Sequence, residues 1–370
     1  MGTSKNEMIG WGLIGCGVIA PSHAEAIQKI EGVKLVACCD LIADLAEARA
    51  KEYGDSDTAV YSDLEKMLAD PNLDAVSICT PSGMHADEGI LAAQAGKHIL
   101  CEKPLDVTLK RIDALIAAAE DNRVKLAGVF QSRTYESTHK VREAIRTGKL
   151  GKLVLGDSYQ KYFRSHEYYA SGEWRATWEL DGGGALMNQG VHGIDLLLHL
   201  MGDVRRLNGR CRTLVRNIGV EDTAVASLEF VNGALGVIEG TTSVTPGMAA
   251  RMEISGDNGT IVMTSNKITV WDVPGEEIDT EAPTDKGAAS DPTAGLDATG
   301  HVRHISDLAD AIRNNREPEI PGREARRAVE VIKAIYLSSR RGGATVELPL
   351  SYEDDGPGID FQASCGQWDW

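Results

Sequence analysis

The segment Trp11-Gly12-Leu13-Ile14-Gly15-Cys16-Gly17-Val18-Ile19-Ala20 is an apolar, strand-forming run that breaks into G-x-G-x-x-A and meets Pro21 at once. Few folds ask for that order. A strand must end, the backbone must turn sharply at Gly15, a bulky anion must come close at Gly17, and a small Ala20 must let a helix lie near the strand. Pro21 suits the first turn of that helix, where a missing N–H costs nothing. The free N–H groups and partial positive charge of the helix start would then face a pyrophosphate held at Gly15, Gly17, Val18 and Ile19. Asp40 ends the next apolar run at the spacing, roughly 20 residues, at which a carboxylate accepts hydrogen bonds from the adenosine ribose. It also repels a 2′-phosphate, and Leu41-Ile42-Ala43 supplies no cation to offset that, so the expected cofactor is NAD rather than NADP. A glycine-rich turn in a nucleotide-free α/β domain is the plainer alternative; the coincidence of strand, helix and acid weighs against it.

The following sequence continues in the same alternation. Trp11–Ile14, Lys34–Cys39, Ala75–Cys79, His98–Cys101 and Lys125–Phe130 read as strands, and Leu41–Tyr53, Asp87–Ala95 and Leu109–Asp121 carry apolar residues at helical spacing. Strands separated by helices make a doubly wound parallel sheet, a Rossmann domain over residues 1–130. Beyond it the pattern changes. Asn232-Gly233 joins Ser227–Phe230 to Leu235–Glu239, and Asp257-Asn258-Gly259 joins Met252–Ser255 to Ile261–Thr264, both hairpin signals. With helices expected near Met187–Met201, Val302–Asn314 and Glu324–Ser339, residues 131–350 read as an α+β domain with a large, mainly antiparallel open sheet, so the chain is α/β in class. Asp272–Gly300 has the length and composition of a mobile loop or lid, or equally of an uninvolved surface excursion. Residues 351–370 form an acidic, aromatic tail.

Two domains suit 370 residues. A net charge of −17 without any basic run speaks against nucleic acid and anionic membranes as partners. No apolar stretch approaches the roughly 20 residues of a membrane span, and Met1–Met8 lacks the basic start of a signal peptide. Seven cysteines without a C-x-x-C pair argue against a disulfide framework or zinc site, so a cytoplasmic location is expected.

Ligands of open parallel sheets bind beyond the carboxyl ends of the strands. Thr80-Pro81-Ser82 follows the strand Ala75–Cys79, with His85 opening a helix, and Glu102-Lys103-Pro104 follows the strand His98–Cys101. Beside an oxidised nicotinamide, Lys103 is partly desolvated and close to positive charge, both of which favour its neutral amine and a role in proton transfer; pairing with Glu102 at the surface is the default for an isolated lysine. Farther on, Gly182-Gly183-Gly184 opens a helix on which His192, Asp195 and His199 share one stripe at i, i+3 and i+7. Three readings apply: acid/base chemistry with Asp195 orienting a histidine, a His-Asp-His metal site, or hydrogen-bonded core residues. The neighbouring cofactor motif favours the first, with no metal. Between these segments, Tyr159 to Trp178 concentrates aromatics with Arg164 and Arg175, a composition suited to a polyhydroxylated ring; ordinary core is the alternative. Arg164, Trp174, Arg175, Asn188 and His192 are the candidate substrate contacts.

Taken together, Gly15 to Ala20, Thr80 to His85, Glu102-Lys103-Pro104, Gly182 to His199 and Ala334 to Ser338 resemble the glucose-fructose oxidoreductase, inositol dehydrogenase and rhizopine-catabolism superfamily, Gfo/Idh/MocA, over about residues 9 to 348. The resemblance implies that Lys103 is catalytic, that a cis peptide precedes Pro104, that Gln131 approaches the cofactor, and that His192 holds an acid/base position. Asp195 and His199 match an Asp-x-x-x-His pair that inositol dehydrogenase-like members use beside the lysine. Asp181 to Asp195 looks like the corresponding segment of nucleotide-sugar 3-dehydrogenases, which implies oxidation at C3 of a pyranose. It further implies a homo-oligomer, dimer or tetramer, built through the open face of the C-terminal sheet. The expected activity is NAD-dependent oxidation of a sugar, glycoside or inositol; an NAD-requiring glycosidase working by transient oxidation and elimination, and a non-catalytic NAD-binding sensor, are the alternatives.

Overall fold

The computed structural model describes residues 8–280 and 298–356. In chain order the first elements are β1 Ile9–Ile14, α1 Ala20–Gln28, β2 Val33–Cys39, α2 Ala43–Tyr53, β3 Ala59–Tyr61, α3 Leu64–Leu68, β4 Ala75–Ile78, α4 His85–Gln94, β5 His98–Cys101, α5 Leu109–Asp121 and β6 Leu126–Gly128. There follow α6 Glu136–Arg146, β7 Leu153–Lys161, α7 His166–Ala170, α8 Val191–Met201, β8 Val204–Arg212, β9 Thr223–Phe230, β10 Leu235–Thr241, β11 Arg251–Gly256, β12 Thr260–Thr264 and β13 Lys267–Asp272. Last come α9 Thr299–Asn314, α10 Gly322–Arg340 and β14 Val346–Glu347. No described helix is long and apolar enough to cross a membrane.

The described chain divides into two compact units, residues 8–131 with 298–326 and residues 132–280 with 327–356. The first holds a six-stranded sheet ordered β3-β2-β1-β4-β5-β6, every neighbouring pair parallel. This is the doubly wound order, and the strand sequence reverses direction between β1 and β4, where such sheets open a crevice for ligands. Strand β3 is the element without a sequence signal of its own. Its three residues, Ala59-Val60-Tyr61, are half-buried or exposed at the sheet edge, too short a run to stand out.

The Rossmann unit is larger than residues 1–130. Helix α9 sits in the span assigned by sequence to the second domain, yet Ile305, Leu308 and Ala309 are buried in one core with Trp11, Leu13, Ala24 and Ile27. A stripe of apolar residues at helical spacing needs a partner surface, and α1 with β1 supplies it. The expected loop Asp272–Gly300 lies in large part outside the described residues, as does the tail beyond Gly356. Residues 351–356 belong with the second unit, where Asp355 pairs with Lys333 at 3.4 Å, both side chains 4 % exposed.

The second unit is built on an eight-stranded sheet, β13-β12-β11-β7-β10-β9-β8-β14. All its pairs are antiparallel except β7 with β10. Both hairpins fall where the Asn-Gly signals put them, and Gly233 takes φ +87. On one face lies α8, apolar at Val191, Ile194, Leu197, Leu198 and Met201 and stopped by Gly202 at φ +94. It lies close to the sheet because β7 has a glycine beneath it: a Cβ on Gly156 would fall 2.6 Å from Met201 Cγ.

Candidate active site

In the first unit the glycine turn has the form the motif requires. Gly15 has φ +83, and a Cβ there would lie 2.9 Å from the backbone at Cys79 and Thr80, so only glycine fits without strain. Gly17 differs. It has no positive φ, and a Cβ added to it meets nothing within 4 Å. The fold itself gives no reason for glycine there; an approaching pyrophosphate does. Ala20 is fully buried and Pro21 occupies the first turn of α1, while Val18 is 72 % exposed beside the half-buried Ile19. Asp40 accepts hydrogen bonds from Cys16 N at 2.7 Å and Ile42 N at 2.8 Å, tying the end of β2 to the glycine turn. Leu41 and Ile42 beside it are 84 % and 60 % exposed, an apolar surface suited to the flat face of an adenine. These residues fit the dinucleotide expected from sequence. Substituting Gly17→Ala is expected to leave the melting temperature within about 1 °C, because nothing is displaced, while weakening NAD binding at least tenfold, roughly the cost of one lost charged hydrogen bond. Calorimetry of both steps checks this, and unchanged affinity would remove the pyrophosphate from that face.

The turns after β4 and β5 are locked together. His85 is buried, with Nδ1 2.8 Å from the Pro104 carbonyl and Nε2 2.9 Å from that of Thr80. Its ring thus clamps two strand ends, a structural task where sequence assigned it to the cofactor. Thr80 Oγ1 donates to Glu88 at 2.5 Å, and burial pushes the Glu88 carboxyl up to about 7. Pro81 and Ser82 lie between these anchors, Ser82 buried, and the Lys103–Pro104 peptide is cis.

Glu102 is not a surface residue. It is 6 % exposed, and its Oε1 stands 3.1 Å from both His23 Nε2 and His301 Nε2, while its Oε2 accepts from Lys103 N at 3.1 Å. Burial alone would raise this carboxyl, but hydrogen bonds from the two imidazoles outweigh burial and hold it well below the usual range. Burial, with His301 adjacent, lowers His23 to about 4 against the pull of Glu102. The network runs on from His23 Nδ1 to the Ser77 hydroxyl at 3.0 Å, and that hydroxyl oxygen accepts from Trp11 Nε1 at 2.9 Å. Gln131 Nε2 lies 3.3 Å from His301 Nε2. The backbone that presents Lys103 is therefore held by a buried imidazole-carboxylate-imidazole cluster. Sequence reasoning missed His23 and His301; the available signal was a histidine on the inward face of each amphipathic helix.

In the second unit, the helix carrying His192 begins as a π-turn. Ala185–Gly190 are wound with the wider repeat, then α8 follows, a local form that recurs at functional sites. Its start is capped by buried Glu221, which accepts from Gly184 N at 2.9 Å, Leu186 N at 2.8 Å and Tyr336 Oη at 2.9 Å. Burial raises that carboxyl to about 7. The glycine run is packed against the same group: Gly183 has φ +156 and a Cβ there would fall 2.1 Å from Tyr336 Oη. Gln160 Nε2 donates to Gly190 O at 2.9 Å, where the winding changes.

His192 is half-buried at the start of α8. Asp195 is fully buried, and its two oxygens take hydrogen bonds of 2.7 and 2.6 Å from Arg133 Nε and Nη2. Spacing pointed to His192; the fold also brings to Asp195 a guanidinium from 62 residues earlier. His199 faces Arg142, whose Nη1 is 2.7 Å from Nδ1 and 2.9 Å from the His199 carbonyl. Burial, then Arg133, Arg142 and Arg327, lower its imidazole to about 3, too weak a base for proton removal at neutral pH. Two guanidiniums here also work against a His-Asp-His cation site. Asn188 Nδ2 donates to Asp181 at 2.6 Å, and Gln189 Nε2 donates to Asn188 Oδ1 and Tyr168 Oη, both at 2.9 Å. Arg175 lies between the rings of Tyr168 and Trp174, 4.4 and 4.5 Å from their centroids, and Arg164 lies over Tyr162 and Tyr168. Of the candidate substrate contacts, Arg164, Trp174 and Arg175 gather around Tyr168, and Asn188 reaches the same tyrosine through Gln189.

Similarity to known proteins extends over both units. Residues 9–130 match an oxidoreductase family with an NAD-binding Rossmann fold, and residues 138–262 match the GFO/IDH/MocA C-terminal domain. D-apiose dehydrogenase of Paraburkholderia graminis is 29 % identical over 365 residues, 95 % of this chain and 92 % of that protein. Myo-inositol 2-dehydrogenase of Thermotoga maritima is 30 % identical over 259 residues, 68 % of this chain and 73 % of the other. Among solved structures, the WlbA dehydrogenase of Bordetella pertussis, in complex with NADH and UDP-GlcNAcA, superposes with a TM-score of 0.82 at 32 % identity, covering 93 % of this chain and all of that one.

Proposed function

The chain belongs to the GFO/IDH/MocA family of NAD-binding oxidoreductases, and on that premise we propose that it oxidises a secondary alcohol of a sugar, glycoside or inositol to a ketone, with C3 of a pyranose the first position to test. One observation carries the reading: Lys103 follows a carboxylate clamped by two buried imidazoles, at the same end of the parallel sheet as the open glycine turn and Asp40. A positioned amine of that kind serves catalysis; a sensor has no use for it. NAD, when bound at Gly15, Gly17, Val18, Ile19 and Asp40, supplies the hydride acceptor. Lys103 and His192 are the groups that handle the hydroxyl proton. Asp195 and Arg133 hold α8, and with it His192, in place; His199, lowered by burial and its arginine neighbours, acts in that support and not as a base.

The relatives named above are sugar and inositol dehydrogenases by name, which supports a polyol substrate. Absorbance at 340 nm with NAD across inositols, free sugars, glycosides and nucleotide sugars tests the reading, with mass spectrometry of the products. NADH and a ketone from one class are expected. A cleaved glycoside without net NADH would replace the dehydrogenase by the oxidation-elimination reading, and no change in any compound would end the enzymatic one.

We also propose a homo-oligomer through the eight-stranded sheet. Leu155, Val225 and Leu235, on one face of β7, β9 and β10, are 40, 46 and 56 % exposed, apolar surface of the kind that marks a contact. Light scattering is expected to give at least a dimer, and Val225→Lys is expected to reduce it to monomer. A monomeric parent protein would refute the assignment. All six described cysteines are buried and unpaired, which supports a reducing, cytoplasmic setting.

A further inference from the structure

Glu102 is a buried carboxylate stabilised by neutral donors. Its Oε1 faces His23 Nε2 and His301 Nε2, both at 3.1 Å, and its Oε2 accepts from the Lys103 backbone amide. Burial opposes its charge, and hydrogen bonds from the two rings outweigh burial and keep it ionised. Burial also lowers His23 to about 4, so that ring is neutral at pH 7. His301 is 2 % exposed, and its Nδ1 is buried without a hydrogen-bond partner. A proton on that nitrogen would strand a buried N–H, so the geometry favours the neutral ring with its one hydrogen on Nε2, towards Glu102. Among the described residues no lysine or arginine forms an ion pair with Glu102. The cluster therefore carries a negative charge that hydrogen bonds satisfy and no cation balances.

A carboxylate held in this way keeps its field, and in a poorly solvated setting that field acts strongly on any charge brought near. Its place in the sheet says which charge that is. Asp40 follows β2, the glycine turn follows β1, and Glu102 follows β5, across the point between β1 and β4 where the strand order reverses. A dinucleotide lies across such a crevice. With the adenosine at Asp40 and the pyrophosphate at Gly15 and Gly17, the nicotinamide end falls to the side of β4 and β5. That ring is cationic in NAD and neutral in NADH.

We propose that Glu102 sets the oxidation state that the cofactor site prefers, its unbalanced charge attracting the cationic ring of NAD and not the neutral ring of NADH. The inference rests on the NAD-binding reading of the first unit and is independent of which alcohol is oxidised. Hydride transfer cancels the charge of the ring and with it the attraction, so reduced cofactor leaves more readily than oxidised cofactor. Glu102 then does two things: it seats the Lys103 turn, and it acts as the counter-charge of the oxidised ring.

Calorimetric titration with NAD and with NADH, without substrate, reads the preference directly, because the two forms share their phosphates and riboses and differ in the ring. The parent protein is expected to bind NAD at least as tightly as NADH. In Glu102→Gln the loosened turn weakens both forms, and the NAD-to-NADH affinity ratio is expected to fall about tenfold, the scale of one lost charge–charge interaction in a partly buried site. Glu102→Asp keeps the charge and shortens the reach, so its losses fall on both forms alike and the ratio stays near that of the parent. A ratio that Glu102→Gln leaves unmoved, or that Glu102→Asp lowers equally, overturns the counter-charge and leaves Glu102 as a support of the Lys103 turn. A parent protein that prefers NADH overturns it too, and that measurement decides the matter where a variant fails to fold. Binding of neither form by the parent is a separate result, which would refute the dinucleotide site itself and this inference with it.

Discussion

Substituting Lys103→Ala lowers turnover roughly a hundred- to ten-thousand-fold, the span for losing a positioned acid/base group, while NAD affinity changes little. The separation follows from where each task is done. Glu102 is held by His23 and His301, and its Oε2 accepts from the Lys103 backbone amide, contacts that do not use the lysine side chain. Truncating it leaves the turn, the glycine loop and Asp40 as they were. Turnover measured at 340 nm beside NAD binding by calorimetry checks both halves. Glu102→Gln is the informative companion: it keeps Lys103 but removes the charge that both imidazoles face, so the turn loosens, and both kcat and melting temperature are expected to fall. Full activity in Lys103→Ala would strip that residue of its role, and the proton would then belong to His192.

The contrast between these two neighbours shows what a sequence carries and what it does not. Gly15, Gly17, Ala20 and Asp40 were legible because their meaning lies in short spacings along one strand-turn-helix unit, and the observed φ of Gly15 and the open side of Gly17 agree with the roles read from spacing. The hairpins at Gly233 and Gly259 were legible for the same reason. What stayed hidden depends on long-range pairing. His301 meets Glu102 across 199 residues, and Arg133 meets Asp195 across 62; no local period links such partners. Helix periodicity placed His192, Asp195 and His199 on one stripe correctly but could not say which guanidinium would arrive opposite each. It also read α9 as a helix without revealing which core would bury Ile305 and Leu308. The π-turn at Ala185–Gly190 escaped because the glycine run that announces it answers to Tyr336 and Glu221, distant groups that crowd the backbone.

The second large effect is expected at Asp195, and it is one of stability. Arg133 and Asp195 are 2 % and 0 % exposed and joined by a forked pair of short hydrogen bonds. Removing one partner of a buried pair strands the other charge in a medium that solvates it poorly, which costs about 3–5 kcal/mol. Asp195→Asn and Arg133→Met are therefore each expected to lower the unfolding free energy by about that amount in urea titrations. The double replacement, Arg133→Met with Asp195→Leu, is expected to recover most of the loss, because no unmatched charge remains. Function separates this role from a catalytic one. His192 precedes Asp195 by three residues on α8, so any variant that lets α8 shift moves the candidate proton acceptor, whereas the double replacement restores its seat. If Asp195 serves only to anchor α8, activity returns with stability in the double variant. If activity stays lost while stability recovers, the carboxylate itself takes part in the proton transfer, and the Asp-x-x-x-His pair has the direct role that its resemblance to inositol dehydrogenases implied.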